Sequence, residues 1–340
     1  MKILYGVQGT GNGHFSRAIA ITPVLSKFGK VDILVSGSQY DIKLPFDVKY
    51  RRPGIGFHFG SQGGVDVIRT VRSQHPVRFL KDVNALPVQD YDLVISDFEP
   101  ITAWACQLKR KACIGLSHQA AFLSQKTPRI SKRSMPAEAI LKHYAPTSDW
   151  IGFHYQSYDE NIEEPIIRRS MRHLEPKTGE HYVVYLPAYS ETYLQSYFLN
   201  LPQAEWRIYV KGLTNAYTFR NIQLKPVGSP TWLSDISSCQ GIIIGAGFEG
   251  PSEMMFLGKN MIAIPMIGQY EQQCNAKALS ELGVTVISHL SGSNKSVIEN
   301  WMLNNEAICL NFPYHTDRIV ENVLSKAGVS TFKPSELLLQ

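Results

Sequence analysis

Two short stretches of this sequence hold the residue types that could do chemistry. The first is Gly9-Thr10-Gly11-Asn12-Gly13-His14, between an apolar run and an amphipathic one. Glycines let backbone N–H groups come close to a ligand, and the start of a helix favours negative charge. His14 sits where that turn feeds the helix, at the carboxyl end of the first strand, where open α/β sheets bind ligands. An imidazole there can take a proton from a hydroxyl near neutral pH. Asp97, closing Val94-Ile95-Ser96-Asp97, ends another strand at the same sheet edge and could hold the second ring nitrogen. Glu99 is the reserve carboxylate. The turn fails as a dinucleotide fingerprint: counted from Gly9 the third glycine place is His14, and counted from Gly11 it is Ser16. The second strand ends Val35-Ser36-Gly37-Ser38, without the acidic residue that takes a ribose. Gln8-Gly9-Thr10 is not followed by Lys-Ser/Thr, which excludes a kinase-type phosphate loop.

The second stretch is Gly245-Ala246-Gly247-Phe248-Glu249-Gly250-Pro251-Ser252-Glu253, followed by Glu271-Gln272-Gln273-Cys274-Asn275-Ala276. Its turn offers free N–H groups at a helix start, suited to a phosphate. Glu253, one turn in, could accept hydrogen bonds from ribose hydroxyls. Glu271 and Gln272 follow the next strand at the same edge and could hold sugar hydroxyls. Taken alone, Glu253 could equally be a carboxylate complementing the helix dipole.

These residues need a scaffold of strands and helices in alternation. In the first half, strands are expected at Lys2–Val7, Val31–Ser36, Leu93–Ser96 and Ala112–Leu116, with helices at His14–Phe28 and Ile101–Leu108. Arg51 to Gly64 reads as a long loop. A second run of the same kind extends from Tyr182 to Ala327. It includes a helix at Trp232–Ser238, with Trp232 expected in the core. Alternating strands and helices imply parallel βαβ units, hence an α/β fold with helices on both sheet faces. The charged stretch Tyr155–Glu180, with Pro165 and Pro176, reads as the connection between the two. Residues 1–154 and 181–340 are then two domains, joined by 155–180, with the last helix free to pack back on the first domain.

Composition sets the class. The chain has 340 residues, 44% hydrophobic and 19% charged, which excludes disordered, collagenous and coiled-coil chains. Its 5 cysteines are isolated, so neither a disulfide framework nor a zinc site is expected. They read as reduced core thiols of a cytoplasmic protein. No apolar run approaches the ~18 residues of a spanning helix, and Ile3–Val7 is too short for a signal peptide core. Residues 1–150 carry a net +9 and residues 151–340 a net −4. The basic half suits an anionic acceptor or an anionic membrane face. Its scattered charges match no nucleic-acid reader, so nucleic acid is not expected as a partner.

The motifs, in this order, resemble those of GT-B-fold, nucleotide-sugar-dependent glycosyltransferases of families 1 and 28. Among these is the peptidoglycan GlcNAc transferase that makes lipid II. Gly9–His14 is similar to their N-terminal loop ending in Gly-His. Gly247–Glu253 resembles their second Gly-rich loop, whose terminal Ser-Glu supplies the ribose-binding carboxylate. Glu271–Ala276 resembles their (Asp/Glu)-Gln-x-x-Asn-Ala ending, which meets the donor sugar. Ser117-His118-Gln119 resembles a His-containing loop on the acceptor side. Three features depart from the pattern. Gly245 stands where plant members have a phosphate-binding His, Glu249-Gly250 replaces their Asn-Ser, and no Pro follows Gly13-His14 at short distance.

The resemblance implies two Rossmann-like domains facing a cleft and an inverting transfer from a nucleotide-diphosphate sugar, UDP-linked in most members. His14 would be the base and Asp97 its partner. Ser190, Val227, Gly247, Phe248, Glu249, Gly250, Ser252, Glu253, Glu271 and Gln272 would meet the donor, with Glu249 pointing away from the phosphate. Gly11, Asn12, Gly13, His118 and Glu99 would lie on the acceptor side. The acceptor class is a glycan or a lipid-linked glycan, and the setting cell-envelope or glycolipid synthesis at the inner membrane face. No Asp-x-Asp pair is present, so neither metal nor other cofactor is expected. Two rivals use related ligands: a nonhydrolysing sugar-nucleotide epimerase and a nucleotide-sugar-binding protein without activity.

Overall fold

A computed structural model of the chain describes residues 1–39, 44–54, 76–304 and 306–329. The first sheet has strands β1 (Lys2–Thr10), β2 (Lys30–Gln39), β3 (Val48–Arg52), β4 (Leu93–Asp97), β5 (Ile114–Ser117), β6 (Asp149–Phe153) and β7 (Ile162–Glu163). Their order is β3-β2-β1-β4-β5-β6-β7, and among the described residues the strands pair in parallel. The second sheet has β8 (His181–Tyr185), β9 (Glu205–Val210), β10 (Tyr217–Phe219), β11 (Ile222–Pro226), β12 (Gly241–Gly245), β13 (Asn260–Ile264) and β14 (Thr285–Val286). Its order, β10-β11-β9-β8-β12-β13-β14, repeats the plan of the first sheet, with only β10 antiparallel. The helices are α1 (Asn12–Leu25), α2 (Pro76–Ala85), α3 (Pro100–Lys109), α4 (Met135–His143), α5 (Arg169–Arg172), α6 (Glu191–Phe198), α7 (Trp232–Ser238), α8 (Glu249–Phe256), α9 (Tyr270–Glu281), α10 (Lys295–Leu303) and α11 (Thr316–Lys326).

The fold follows from which runs can be buried on both faces. Ile3, Leu4, Tyr5 and Val7 of β1 are fully buried, as are Ile242 and Ile243 of β12. Strands covered on both sides read as continuous apolar runs. In each sheet the chain reverses its order beside a central strand: between β1 and β4, and between β8 and β12. Crevices at the carboxyl ends of such switch points are where open α/β sheets take ligands. His14 follows β1 and Asp97 ends β4; the 245–250 turn follows β12 and Leu186–Ser190 follows β8. The fold therefore places the chemistry-bearing turns at both switch points.

Local structure differs from expectation in several places. β1 runs through Gly9 to Thr10, so Gly11 alone separates it from α1. Gly9 allows this, because a Cβ there would press on the backbone oxygens of Ser36 and Gly37 at 2.8–2.9 Å. The expected connection 155–180 contains β7, which pairs with β6, and the short α5. Of the loop expected from Arg51, residues 55–64 lie outside the described residues. Four cysteines are buried, but Cys309 is exposed. The last helix, α11, crosses back to the first half. There Lys27 pairs with Asp317 at 2.6 Å, Arg318 with Glu163 at 2.6 Å and Lys326 with Asp149 at 2.9 Å.

Candidate active site

His14 lies in the first turn of α1, with its Nδ1 2.7 Å from Asp97 Oδ1. The ring proton on Nδ1 donates to that carboxylate, which leaves Nε2 as the nitrogen with a lone pair. Asp97 is fully buried at the end of β4, in register with Val7 of β1. Phe98, directly after it, takes φ 52°, a left-handed conformation costly for a bulky side chain and characteristic of functional turns. The carboxylate also accepts from Arg17: Nε reaches Oδ2 at 2.8 Å and Nη2 reaches Oδ1 at 2.7 Å. Burial opposes charge on Asp97, but Arg17 and His14 together hold its carboxyl below the usual range. For Arg17 burial is likewise unfavourable, and Asp97 with Glu249 outweighs it, so the guanidinium stays firmly charged.

Beside the residues that flank His14 is a cavity of about 410 Å³. Its floor is the second Gly-rich turn: Gly245, Gly247, Phe248, Glu249, Gly250 and Glu253 line it, with Gln272 beside them. Asn12, Gly13 and Ser16 close it from the first half, so the residues flanking His14 reach the cavity wall. Val227 and Gly228 line one side, where Gly228 has φ 86°. Tyr185, Tyr209 and Trp232 form an aromatic wall; Tyr209 and Trp232 meet edge-on with centroids 4.8 Å apart. Trp232, expected in the core, is a wall residue instead. The wall is fixed from behind, because Asp235 accepts from Tyr209 at 2.6 Å, Arg207 at 2.6 Å and Lys225 at 2.5 Å.

Glu253 is buried and takes both arms of Arg168, from Nε at 2.6 Å and Nη2 at 3.0 Å. Burial raises its proton affinity and Arg168 opposes that, so the carboxylate depends on Arg168 for its charge. Glu249 turns towards the first half and pairs with Arg17 Nη1. Ser252 donates to the Phe248 carbonyl at 2.8 Å, closing the turn. Ser190 caps α6 by accepting from the Tyr193 N–H at 3.3 Å, beside the cavity residues Ala188 and Tyr189. Gln272 Oε1 accepts from the Met266 N–H at 2.9 Å.

Gly11, Ser190 and Ser252 do not line the cavity, and three further expected site residues sit away from it. Glu99 is fully buried as the N-cap of α3, where its oxygens accept from the Ile101 and Thr102 N–H groups at 2.8 and 2.7 Å. With no exposed surface and no place in the cavity lining, it is not a cleft carboxylate. His118 is turned into the contact between the halves. Its ring stacks on Phe248 at 4.2 Å, and its nitrogens lie 2.7 Å from the Phe153 carbonyl and 2.9 Å from Asn275 Oδ1. Glu271 accepts from Gln119 at 3.1 Å, again across the halves. Arg17, Arg168 and the aromatic wall were not expected from the sequence.

Beside His118 lies His154, fully buried among Phe122, Tyr155, Tyr158 and Phe248. Its Nδ1 accepts from the Tyr155 N–H at 2.9 Å, and its buried Nε2 has no partner among the described residues. Burial first, then the neighbouring His118 and Arg129, push its pKa well down. The unfolded chain therefore binds this proton more readily than the native one below pH ~6.5. Its contribution to stability is complete above that pH and is lost as the pH falls. Urea midpoints should drop between about pH 7.5 and about pH 5.5, and less so in His154→Phe. An equal drop in both proteins rules out His154 as the cause.

Among the described residues no helix is long and apolar enough to cross a membrane. No curated protein matches the chain. Solved structures do, along nearly its whole length. MurG of Acinetobacter baumannii superposes with TM-score 0.56 at 13% identity, covering 95% of this chain and 99% of its own. The glycosyltransferase SnogD from Streptomyces nogalater gives 0.51 at 13% identity, with 96% of each chain covered. A UDP-glucosyltransferase from Polygonum tinctorium gives 0.55 at 12% identity, covering 96% of this chain and 92% of its own. At such low identity these likenesses establish the fold, which is GT-B. Residues 1–305 match the glycosyl transferase family 1 profile. The chain belongs to glycosyl transferase family 1, and it is a glycosyltransferase.

Proposed function

We propose that this enzyme is an inverting transferase that moves a sugar from a nucleotide diphosphate, UDP in the first instance, to an acceptor hydroxyl. The observation that carries the proposal is the His14–Asp97 pair at 2.7 Å, set directly behind Gly13, which lines a cavity floored by the opposite half's Gly-rich turn. In this reading residues 1–154 are the acceptor domain, 181–340 the donor domain, and 155–180 the connection. The donor diphosphate lies at the start of α8, whose unpaired N–H groups and dipole favour anions. The acceptor oxygen attacks the anomeric carbon, the carbon–oxygen bond to the diphosphate breaks, and the leaving group keeps the electron pair. Negative charge then grows on the diphosphate, where fixed N–H dipoles stabilise it. His14 Nε2 receives the hydroxyl proton. No metal or cofactor takes part. A single displacement of this kind inverts the anomeric centre.

The first test is a thermal-shift panel of UDP-, TDP- and GDP-sugars, followed by acceptor screening with the best donor. Product anomers are then read by NMR. Absence of stabilisation by every nucleotide sugar sinks the proposal, and a retained anomer sinks the inverting step. Epimerisation without net release of nucleotide would favour the rival epimerase reading.

Glu253 supplies a quantitative check. Its carboxylate keeps lone pairs beyond the two that Arg168 uses, and it lines the cavity. Glu253→Ala should weaken UDP binding by about 1–3 kcal/mol, as for loss of a charged hydrogen bond. Calorimetry showing unchanged affinity in the folded variant removes the ribose assignment.

The acceptor proposed is a glycan, soluble or lipid-linked, met at an anionic membrane face in envelope or glycolipid synthesis. Support comes from the basic first half and from α4. There Met135 and Ile140 are exposed, with Lys132, Arg133 and Lys142 exposed nearby. Basic residues beside exposed apolar ones suit anionic lipid. Co-sedimentation with liposomes should rise with anionic lipid and fall with salt. Equal, negligible binding to neutral and anionic liposomes would leave a soluble acceptor.

A further inference from the structure

Arg17 has no part in the transfer as just described. It lies one turn beyond His14 on α1 and is almost wholly buried. Its Nε and Nη2 grip Asp97, its Nη1 donates to Glu249 across the cleft, and its Nη2 lies 3.2 Å from His14 Nδ1. One guanidinium thus touches the proton-accepting pair of the first half and the first residue of α8 in the second. Room for this contact depends on Gly13, because a Cβ there would collide with the Glu249 carboxylate.

His14 Nδ1 consequently sits between an acceptor, Asp97 Oδ1 at 2.7 Å, and a donor, Arg17 Nη2 at 3.2 Å. A proton on Nδ1 donates to Asp97 and leaves Nε2 free to accept one. A proton on Nε2 instead lets Nδ1 accept from Arg17, and the ring then has no lone pair facing an acceptor hydroxyl. The contest is decided by where the guanidinium is held. With Nη1 drawn to Glu249, the planar fork stays square on the carboxylate. Without that pull it is free to turn towards Nδ1.

We propose that Arg17 is a positioning residue which, anchored by Glu249 of the opposite half, holds His14 in the tautomer that can accept a proton. The proposal rests on the reading of His14 as base and of the 247–253 turn as the phosphate site. It adds a link between them. Glu249 lines the cavity, so an anionic diphosphate there repels its carboxylate and drives it harder onto Arg17. By linkage, nucleotide binding and the His14 tautomer bias each other.

The test uses full-length protein labelled with ¹⁵N-histidine. The His14 ring signals are assigned by their loss in His14→Ala. In nucleotide-free wild type, long-range ¹H–¹⁵N spectra should show Nδ1 protonated and Nε2 bare. Glu249→Gln, at a partly exposed position, and Arg17→Lys, which keeps the charge, should both move His14 towards the opposite tautomer. Identical His14 signals in wild type and both folded variants overturn the proposal. This comparison needs no ligand, so it stands apart from the donor assignment. Saturating UDP should then perturb the wild-type His14 ring, whereas Glu249→Gln should bind UDP more tightly, having lost a like charge, yet leave His14 unchanged. An equal His14 response in both, with no gain in UDP affinity, refutes the link. Failure of UDP, TDP and GDP to bind wild type would instead refute the donor site, with the ligand-free comparison still deciding the role of Arg17.

Discussion

His14→Ala should lower kcat by about 10²–10⁴-fold, the usual worth of a positioned general base, or roughly 3–5 kcal/mol of barrier. Donor affinity should hardly change, because the cavity floor and aromatic wall come from the other half. Loss of kcat without loss of donor binding marks an interaction made only as the reaction proceeds. Asp97→Asn should give a similar or smaller loss: an amide can present its NH₂ to Nδ1 and favour the wrong tautomer. The competing view is that His14 only shapes the turn. It predicts lowered stability and undiminished turnover in the protein that remains folded. Such a result would end the base assignment. Suspicion would not pass easily to Glu99 or His118, since one caps α3 and the other is stacked against Phe248.

The second large effect is on stability. Arg17→Met removes the cation that compensates the fully buried Asp97. Breaking a buried pair by deleting one partner typically costs about 3–5 kcal/mol, because a bare charge is left in the interior. The urea midpoint should fall with an unchanged slope. Arg17→Lys should cost less, since charge survives although the fork does not. The acid limb offers a signed check. Asp97 binds its proton more weakly in the native state than in the unfolded chain. Its contribution is therefore complete above about pH 4 and lost as the pH falls below that. Deleting Arg17 should flatten that part of the stability–pH curve. A midpoint for Arg17→Met within error of wild type would mean that Asp97 finds its compensation elsewhere.

Much of the scaffold was legible because its signals are local. β1, β4, β8 and β12 are apolar runs, and the turns after β1 and β12 announce themselves by glycine. α2 and α4 were not foreseen, and their burial explains why. Only Val83 of α2 is buried and no residue of α4 is, so their apolar stripes, Phe79 with Val83 and Ala137 with Leu141, are short and shallow. β3, Val-Lys-Tyr-Arg-Arg, alternates between half-buried and exposed, and its Arg51 and Arg52 fall within the stretch expected as a loop. At the site, sequence position brought His14 and Asp97 to the same edge. It could not find Arg17, whose partners Asp97 and Glu249 lie 80 and 232 residues away. Glu99 shows the converse: a carboxylate three residues before a helix interior has capping as its nearest demand, and the two N–H groups of α3 claim it. Trp232 was misplaced because an aromatic at the start of a helix looks alike whether it packs under the sheet or lines a wall.

The return of α11 to the first half has a mechanical consequence. The chain passes between the two sheets twice, once through residues 155–180 and again before Thr316, and the helix after the second passage is fastened to the turn following α1 and to β6 and β7 by three ion pairs. Ile319, Val320, Val323 and Leu324 of that helix are buried in the same core as Phe15, Ile21 and Leu25 of α1. Two bodies joined by two separate straps cannot slide freely or twist about a single thread. Their softest relative movement is rotation about the line through both straps, like a door on two pins. Cutting the second strap ahead of Thr316 would leave one pin and strip the apolar cover from α1, so a shortened chain should lose alignment of the two edges before it loses either sheet.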